Sequence, residues 1–163
     1  MTPEDLEASY ATLRAVARRL LAGQRGSLEP TALVHEAWIK LSEAGAHFES
    51  RTHFVAVSVR TLRQVLVDAA RAKHANKRGG ARERITLSGL EATPAAPWEV
   101  VDVDRALSRL SALDERRGRI AELRVFGGLE QEEIAEALGV SRSTVAREWR
   151  QARAWLLAQL EPT

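Results

Sequence analysis

This chain predicts an all-α protein of two small helical bundles joined by a flexible linker, and three observations carry that prediction. Apolar residues recur at helical spacing along most of its 163 residues. No alternating strand pattern of useful length interrupts them. The helical pattern lapses in one central stretch, from Ala81 to Pro97, which carries Gly89, Pro94 and Pro97.

At the N-terminus, Thr2 followed by Pro3, Glu4 and Asp5 has the form of a helix cap, with proline at the first helical position and acids in the first turn. Leu6, Tyr10, Leu13, Val16, Ala17 and Leu20 then line one face of that helix. Gly23 to Leu28 breaks the pattern. Pro30 and Thr31 open a second helix with Leu33, Val34, Ala37, Trp38 and Leu41 on its inner side, and a polar loop runs from Ser42 to Arg51. The third helix starts near Thr52 and continues through Phe54, Val57, Leu62, Leu66 and Ala69 toward Lys73. These three helices form a first domain over residues 1–78.

Gly79-Gly80 ends the basic third helix, and residues 79–103, with Gly89, Pro94 and Pro97, read as a linker whose Ile85 and Leu87 can dock briefly on another part of the chain. Helices resume near Asp104 with Leu107, Leu110 and Leu113. Asp114 is placed to cap the next helix, which carries Ile120, Leu123 and Phe126 and stops at Gly127-Gly128. The second domain, 104–163, closes with the most specific pattern in the chain.

That pattern runs from Glu132 to Arg150: a helix, a tight turn at Gly139 and a second, basic helix capped by Ser141. Ile134, Ala135, Leu138, Val140, Val145, Trp149 and Ala152 give the pair an apolar face. Left outside are Arg142, Ser143, Thr144, Ala146, Arg147, Arg150 and Arg153. Short polar residues opening a helix, followed by arginines along it, suit a major groove, where the helix start meets base edges and the remainder meets phosphates. The plainer alternative is a helical hairpin with solvated arginines.

The total charge of +2 decides nothing, but its distribution does. Between Arg60 and Arg84 stand Arg60, Arg63, Arg71, Lys73, Lys77, Arg78, Arg82 and Arg84 against only Asp68 and Glu83; from Ile85 to Asp104 there are Glu91, Glu99, Asp102 and Asp104 and no base. The basic stretch suits a polyanion. Arg71, Lys73, Lys77 and Arg78 fit phosphate contact best, because so dense a cluster repels itself unless a polyanion neutralises it.

Several classes fall away. The 45% hydrophobic content suffices for a core, and the lack of cysteine removes disulfides and thiolate metal sites. No apolar run approaches the roughly 18 residues of a membrane span. The opening residues read as a helix start rather than a signal peptide, so the expectation is a soluble, cytoplasmic chain. His35-Glu36 is followed by Ile39 where a zinc-binding helix needs its second histidine, and His47, His53 and His74 form no ligand pair. Gly79-Gly80 lacks the lysine and hydroxyl of a phosphate-binding loop. The chain is therefore expected to be no enzyme, with no cofactor, no metal and no small-molecule substrate.

Two basic helical domains in this order resemble the sigma factors of bacterial RNA polymerase, specifically the small extracytoplasmic-function (ECF) group that keeps only the second and fourth sigma domains. Phe54 to Asp68 followed by Arg71 has the spacing of that family's promoter-melting helix. Leu33-Val34-His35-Glu36-Ala37-Trp38-Ile39-Lys40-Leu41 looks like its polymerase-docking helix, and Leu129 through Leu156 looks like its fourth domain. The resemblance implies a second domain that docks on the polymerase through His35, Glu36, Ile39 and Lys40 and opens the minus-ten element. In that role Arg60 and Arg63 line a groove for single-stranded DNA, Gln64 bonds an unstacked base, and Arg71, Lys73, Lys77 and Arg78 hold phosphates. Without that role, Arg60 and Arg63 lie on a solvated helix face and Glu36 with Lys40 is a surface pair.

The fourth domain would read the minus-thirty-five element with Arg142, Ser143, Thr144, Ala146, Arg147, Arg150 and Arg153. Implied partners are core RNA polymerase, promoter DNA and, as in many such proteins, an anti-sigma factor. The sequence departs from the family pattern at Ala32 and His35, where Asp and Gln are usual, at Gln64, where Asn is common, and at Glu148, where Arg is common. In the loop where the family captures a flipped base, His47 or Phe48 would stack on it, or Phe48 closes the small core instead. The alternative to a sigma factor is a helix-turn-helix regulator that works without polymerase. A nuclease is the third class, and no carboxylate cluster supports it.

Overall fold

The computed structural model describes residues 3–20, 29–45, 47–76, 84–85 and 98–160. Helix α1 spans Pro3–Leu20, α2 Pro30–Glu43 and α3 Arg51–Asn76; a short ladder pairs β1, Arg84–Ile85, with β2, Trp98–Glu99; α4 spans Val100–Leu113, α5 Glu115–Val125, α6 Gln131–Leu138 and α7 Arg142–Leu160. The expected features at Thr2, at Gly23 to Leu28, at Gly79-Gly80 and from Leu87 to Pro97 lie outside the described residues.

Local chemistry explains most boundaries. Pro30 stands at the start of α2, where its missing N–H costs nothing. Leu13, Val16, Ala17 and Leu20 of α1 meet Leu33, Val34, Ala37 and Leu41 of α2 in the interior. Trp38, expected inward, is half-buried and stacks edge-on against Tyr10, with ring centroids 5.7 Å apart. Asp114 caps α5 as expected, its side chain accepting the Arg117 N–H at 3.0 Å. After Val125 the chain turns through Phe126 and Gly127, ending α5 at the expected glycine pair.

Helix α4 begins at Val100, ahead of the expected Asp104, because Val100 and Val103 extend the buried row of Ala106, Leu107 and Leu110 backwards. The β2 strand leads directly into it, with Arg84 opposite Glu99 and Ile85 opposite Trp98. The ladder therefore lies inside the stretch expected to be linker. Leu113, expected on the inner row, is instead 72% exposed at the α4–α5 corner.

The two bundles share one contiguous hydrophobic core, which runs from Leu13 to Leu156. Helix α3 joins them. It packs on α1 and α2 and also on α4, α5 and α6. Phe54, Ala56, Val59, Leu62, Val65, Leu66, Val67 and Ala70 are all buried, a set too wide for the single stripe of a surface helix. Gly127 lets α3 come close, since a methyl group there would lie 2.8 Å from Cγ2 of Val59 and 2.6 Å from Cδ1 of Leu129.

Candidate nucleic-acid interface

The helix-turn-helix forms from the residues that the sequence marks. Glu133 accepts the backbone N–H of Glu130 at 3.0 Å, tying down the start of α6. Gly139 ends that helix in the left-handed region at φ 65°, and the Val140 N–H returns to the Ala135 carbonyl at 3.1 Å. Ser141 Oγ then accepts the Thr144 N–H at 3.1 Å at the opening of α7. Ile134, Val145, Trp149, Ala152 and Leu156 face the core.

This packing sets the outward face of α7. Arg142, Ser143, Arg147 and Arg150 are exposed, while Thr144, Ala146 and Arg153 are half-buried beside them. Arg142 Nη1 donates to Glu132 Oε1 at 3.0 Å, so its charge is shared with the preceding helix. Glu148 does not belong to this face. It is 4% exposed and accepts from the Arg116 guanidinium of α5, with Arg116 Nε 3.1 Å from Glu148 Oε2 and a second, shorter bond from Arg116 Nη2 to Oε1. That hydrogen bonding, and then the Glu148 charge, holds Arg116 above its ordinary guanidinium value.

The expected minus-ten residues are spread differently. Gln64 is exposed. Arg60 is half-exposed, with Nη2 3.5 Å from Glu122 Oε2, and Arg71 is 60% exposed, with Nη2 3.7 Å from Asp104 Oδ2. Arg63 lies neither in an open groove nor in solvent. Its Nε donates to Asp104 Oδ1 at 2.8 Å, Nη1 to Glu122 Oε1 at 3.1 Å, and Nη2 to the Asp104 carbonyl at 3.0 Å and to Ser108 Oγ at 3.1 Å. Its guanidinium carbon is 5.7 Å from the centre of the Phe126 ring. The side chains of Lys73, Lys77 and Arg78 lie outside the described residues.

On α2, His35, Glu36, Ile39 and Lys40 share an exposed face. Lys40 pairs with Asp68 of α3, Nζ to Oδ2 at 3.6 Å. Phe48 packs edge-on against buried Phe54 at 4.9 Å between centroids, which favours its role in closing the core. His47 remains exposed. Among the described residues there is no group of acids and histidines that could hold a metal ion and no helix long and apolar enough to cross a membrane.

Sequence reasoning missed the contact of Arg116 with Glu148 and the contacts of Arg63 with Asp104 and Glu122. Glu148 had a visible signal, because it falls in the apolar row of Val145, Trp149 and Ala152 and so had to be paired inside. Asp104 and Glu122 had none, since their partners are distant in the chain.

A family model described as ECF sigma factor matches residues 3–162. No curated protein matches the chain. Among solved structures the chain is similar to the sigma factor RpoE in its co-crystal with the anti-sigma factor NepR from Bartonella quintana. The two are 18% identical, with 96% of this chain and 94% of that chain covered and a TM-score of 0.42.

Proposed function

The chain belongs to the ECF sigma factor family, whose members direct RNA polymerase to promoters, and on that premise we propose how its two helical halves divide the work. Helices α1 to α3 act as the second sigma domain and α4 to α7 as the fourth, with residues 77–99 between them. The observation that carries this division is the outward row Arg142, Ser143, Arg147 and Arg150 on a helix whose opposite side is anchored by Val145, Trp149 and the Glu148–Arg116 pair.

In this reading the start of α7 enters the major groove at the minus-thirty-five element. Ser143, Thr144 and half-buried Ala146 lie close to base edges, and Arg147, Arg150 and Arg153 reach bases or phosphates. Helix α3 meets the minus-ten element through Arg60, Arg63, Gln64 and Arg71, extended by Lys73, Lys77 and Arg78. The α2 face of His35, Glu36, Ile39 and Lys40 docks on core polymerase. The chain makes no covalent bond of its own in this scheme; it supplies recognition and strand separation. Family membership also brings an anti-sigma partner into the proposal, one that binds the free chain and is displaced by core polymerase.

In vitro transcription over a promoter library tests the reading. Specific initiation is expected only when the chain and core polymerase are both present. Tight, sequence-specific binding by the chain alone, with no effect on core, would favour a regulator that works without polymerase.

A further inference from the structure

Helix α1 turns Leu13, Val16, Ala17 and Leu20 into the core, and along its opposite side Glu7, Ala11, Arg14 and Arg18 are all exposed. That side and the edge of α2 enclose an open, mainly apolar groove of about 690 Å³. Ala11 and Ala15 line it with nothing larger than a methyl group, and half-buried Tyr10 and Trp38, stacked edge-on, line it toward α2. We propose that this groove is the contact through which two copies of the chain associate, α1 against α1 in antiparallel order.

The charges on this side of α1 point to the occupant. Glu7 stands two turns before Arg14 and three before Arg18, about 10 and 16 Å along the axis, too far for a pair within one helix. Among the described residues none of the three has a partner. A second copy laid antiparallel, with the two-fold axis at Ala11, changes that. Counting along the helix, Glu7 then lies level with Ala15 of the second copy, between its Arg14 and its Arg18. The contact is isologous, so the same match occurs on both sides of the axis. An unrelated helix would need this order of acid, small residue and base by coincidence, whereas the chain already carries it. A nucleic-acid strand fits less well, because Glu7 would meet it as a like charge.

The small residues let two helices approach closely, and Tyr10 with Trp38 supplies apolar area at the rim. One helix pair and its rim cover less than the roughly 1,600 Å² of a standard interface, so the dimer is weak, with a dissociation constant above about 1 μM. Its ion pairs are exposed, and salt loosens it.

Sedimentation equilibrium of the full-length chain, from about 1 μM to several hundred micromolar, tests this. A monomer–dimer equilibrium is expected, displaced toward monomer by added salt. Glu7→Arg should weaken association about tenfold or more, and so should Arg14→Glu with Arg18→Glu, because each variant sets like charges against each other. Mixed in equal amounts, the two variants should associate again, since every acid then faces a base. The chain has no cysteine, so Ala11→Cys gives a second measure: a disulfide at the axis should form readily under mild oxidation, while Gln151→Cys, exposed on α7, should form little.

A chain that stays monomeric over this range would overturn the contact. So would a dimer indifferent to both charge reversals, a mixture of folded variants that fails to associate, or equal cross-linking at the two cysteine positions. Should either charge variant fail to fold by circular dichroism, the comparison of Ala11→Cys with Gln151→Cys still decides the matter. A monomeric chain whose affinity for core polymerase falls on Glu7→Arg would give the groove to the polymerase and reject self-association.

Discussion

Glu148 of α7 is held inside the protein by Arg116 of α5, a bidentate contact that fixes the rotation of α7 and keeps Arg147 and Arg150 outward. The pair is asymmetric. The Arg116 side chain is 52% exposed, while that of Glu148 is 6% exposed.

Removing the two partners should therefore have unequal effects. Arg116→Ala leaves a carboxylate buried without its counter-charge, whereas Glu148→Gln leaves a guanidinium that water can reach. Thermal unfolding at neutral pH should show the larger loss for Arg116→Ala. The raised guanidinium value means that the pair's contribution is complete at neutral pH and is lost only as pH rises through the arginine range. Equal melting temperatures for the two variants would show that the pair does not anchor α7.

The turn offers a cleaner measurement. Gly139 lies at φ 65°, and a methyl group built there meets nothing within 4 Å. Gly139→Ala should then cost only the left-handed backbone penalty, about 1 kcal/mol by chemical denaturation, and Gly139→Asn less. A cost several times larger would mean that the turn bears on packing after all.

The elements legible in the sequence are those whose causes are local. Pro30, Asp114, the Gly127-Gly128 pair, Gly139 and Ser141 act within a few residues of themselves, and each marks the boundary expected of it. The outward face of α7 was equally readable, because Val145, Trp149 and Ala152 repeat at helical spacing. What could not be read depends on two distant segments meeting. The breadth of burial on α3 follows from its second set of neighbours, α4 to α6, and the occupation of Arg63 follows from the same contact. Periodicity assigns a face to a helix, but it does not say how many partners that helix has.

Arg147 and Arg150 are both exposed on α7 and separated by just under one turn. Each should be replaced by alanine and assayed as holoenzyme over promoters that vary at single minus-thirty-five positions. An arginine making a bidentate base contact should lose about 1–3 kcal/mol, and discrimination should relax at one base pair only. A uniform loss across all sequences, with a shallower salt dependence, would assign that arginine to the phosphate backbone.

Ile39 tests the polymerase face. It is 41% exposed beside His35, Glu36 and Lys40, and a single apolar residue on a surface is ordinary, so exposure alone argues for nothing. The family reading gives the position a partner. Because Ile39 takes no place in the buried row of Leu33, Val34, Ala37 and Leu41, Ile39→Asp should change stability by no more than about 0.5 kcal/mol. Placing a charge in the centre of a docking face should instead weaken core binding by about 2 kcal/mol, close to thirtyfold in affinity. Melting and titration against core polymerase measure the two effects separately. A normal melting temperature with lost core affinity would locate the docking surface on this side of α2, while full affinity would move it elsewhere on the first bundle.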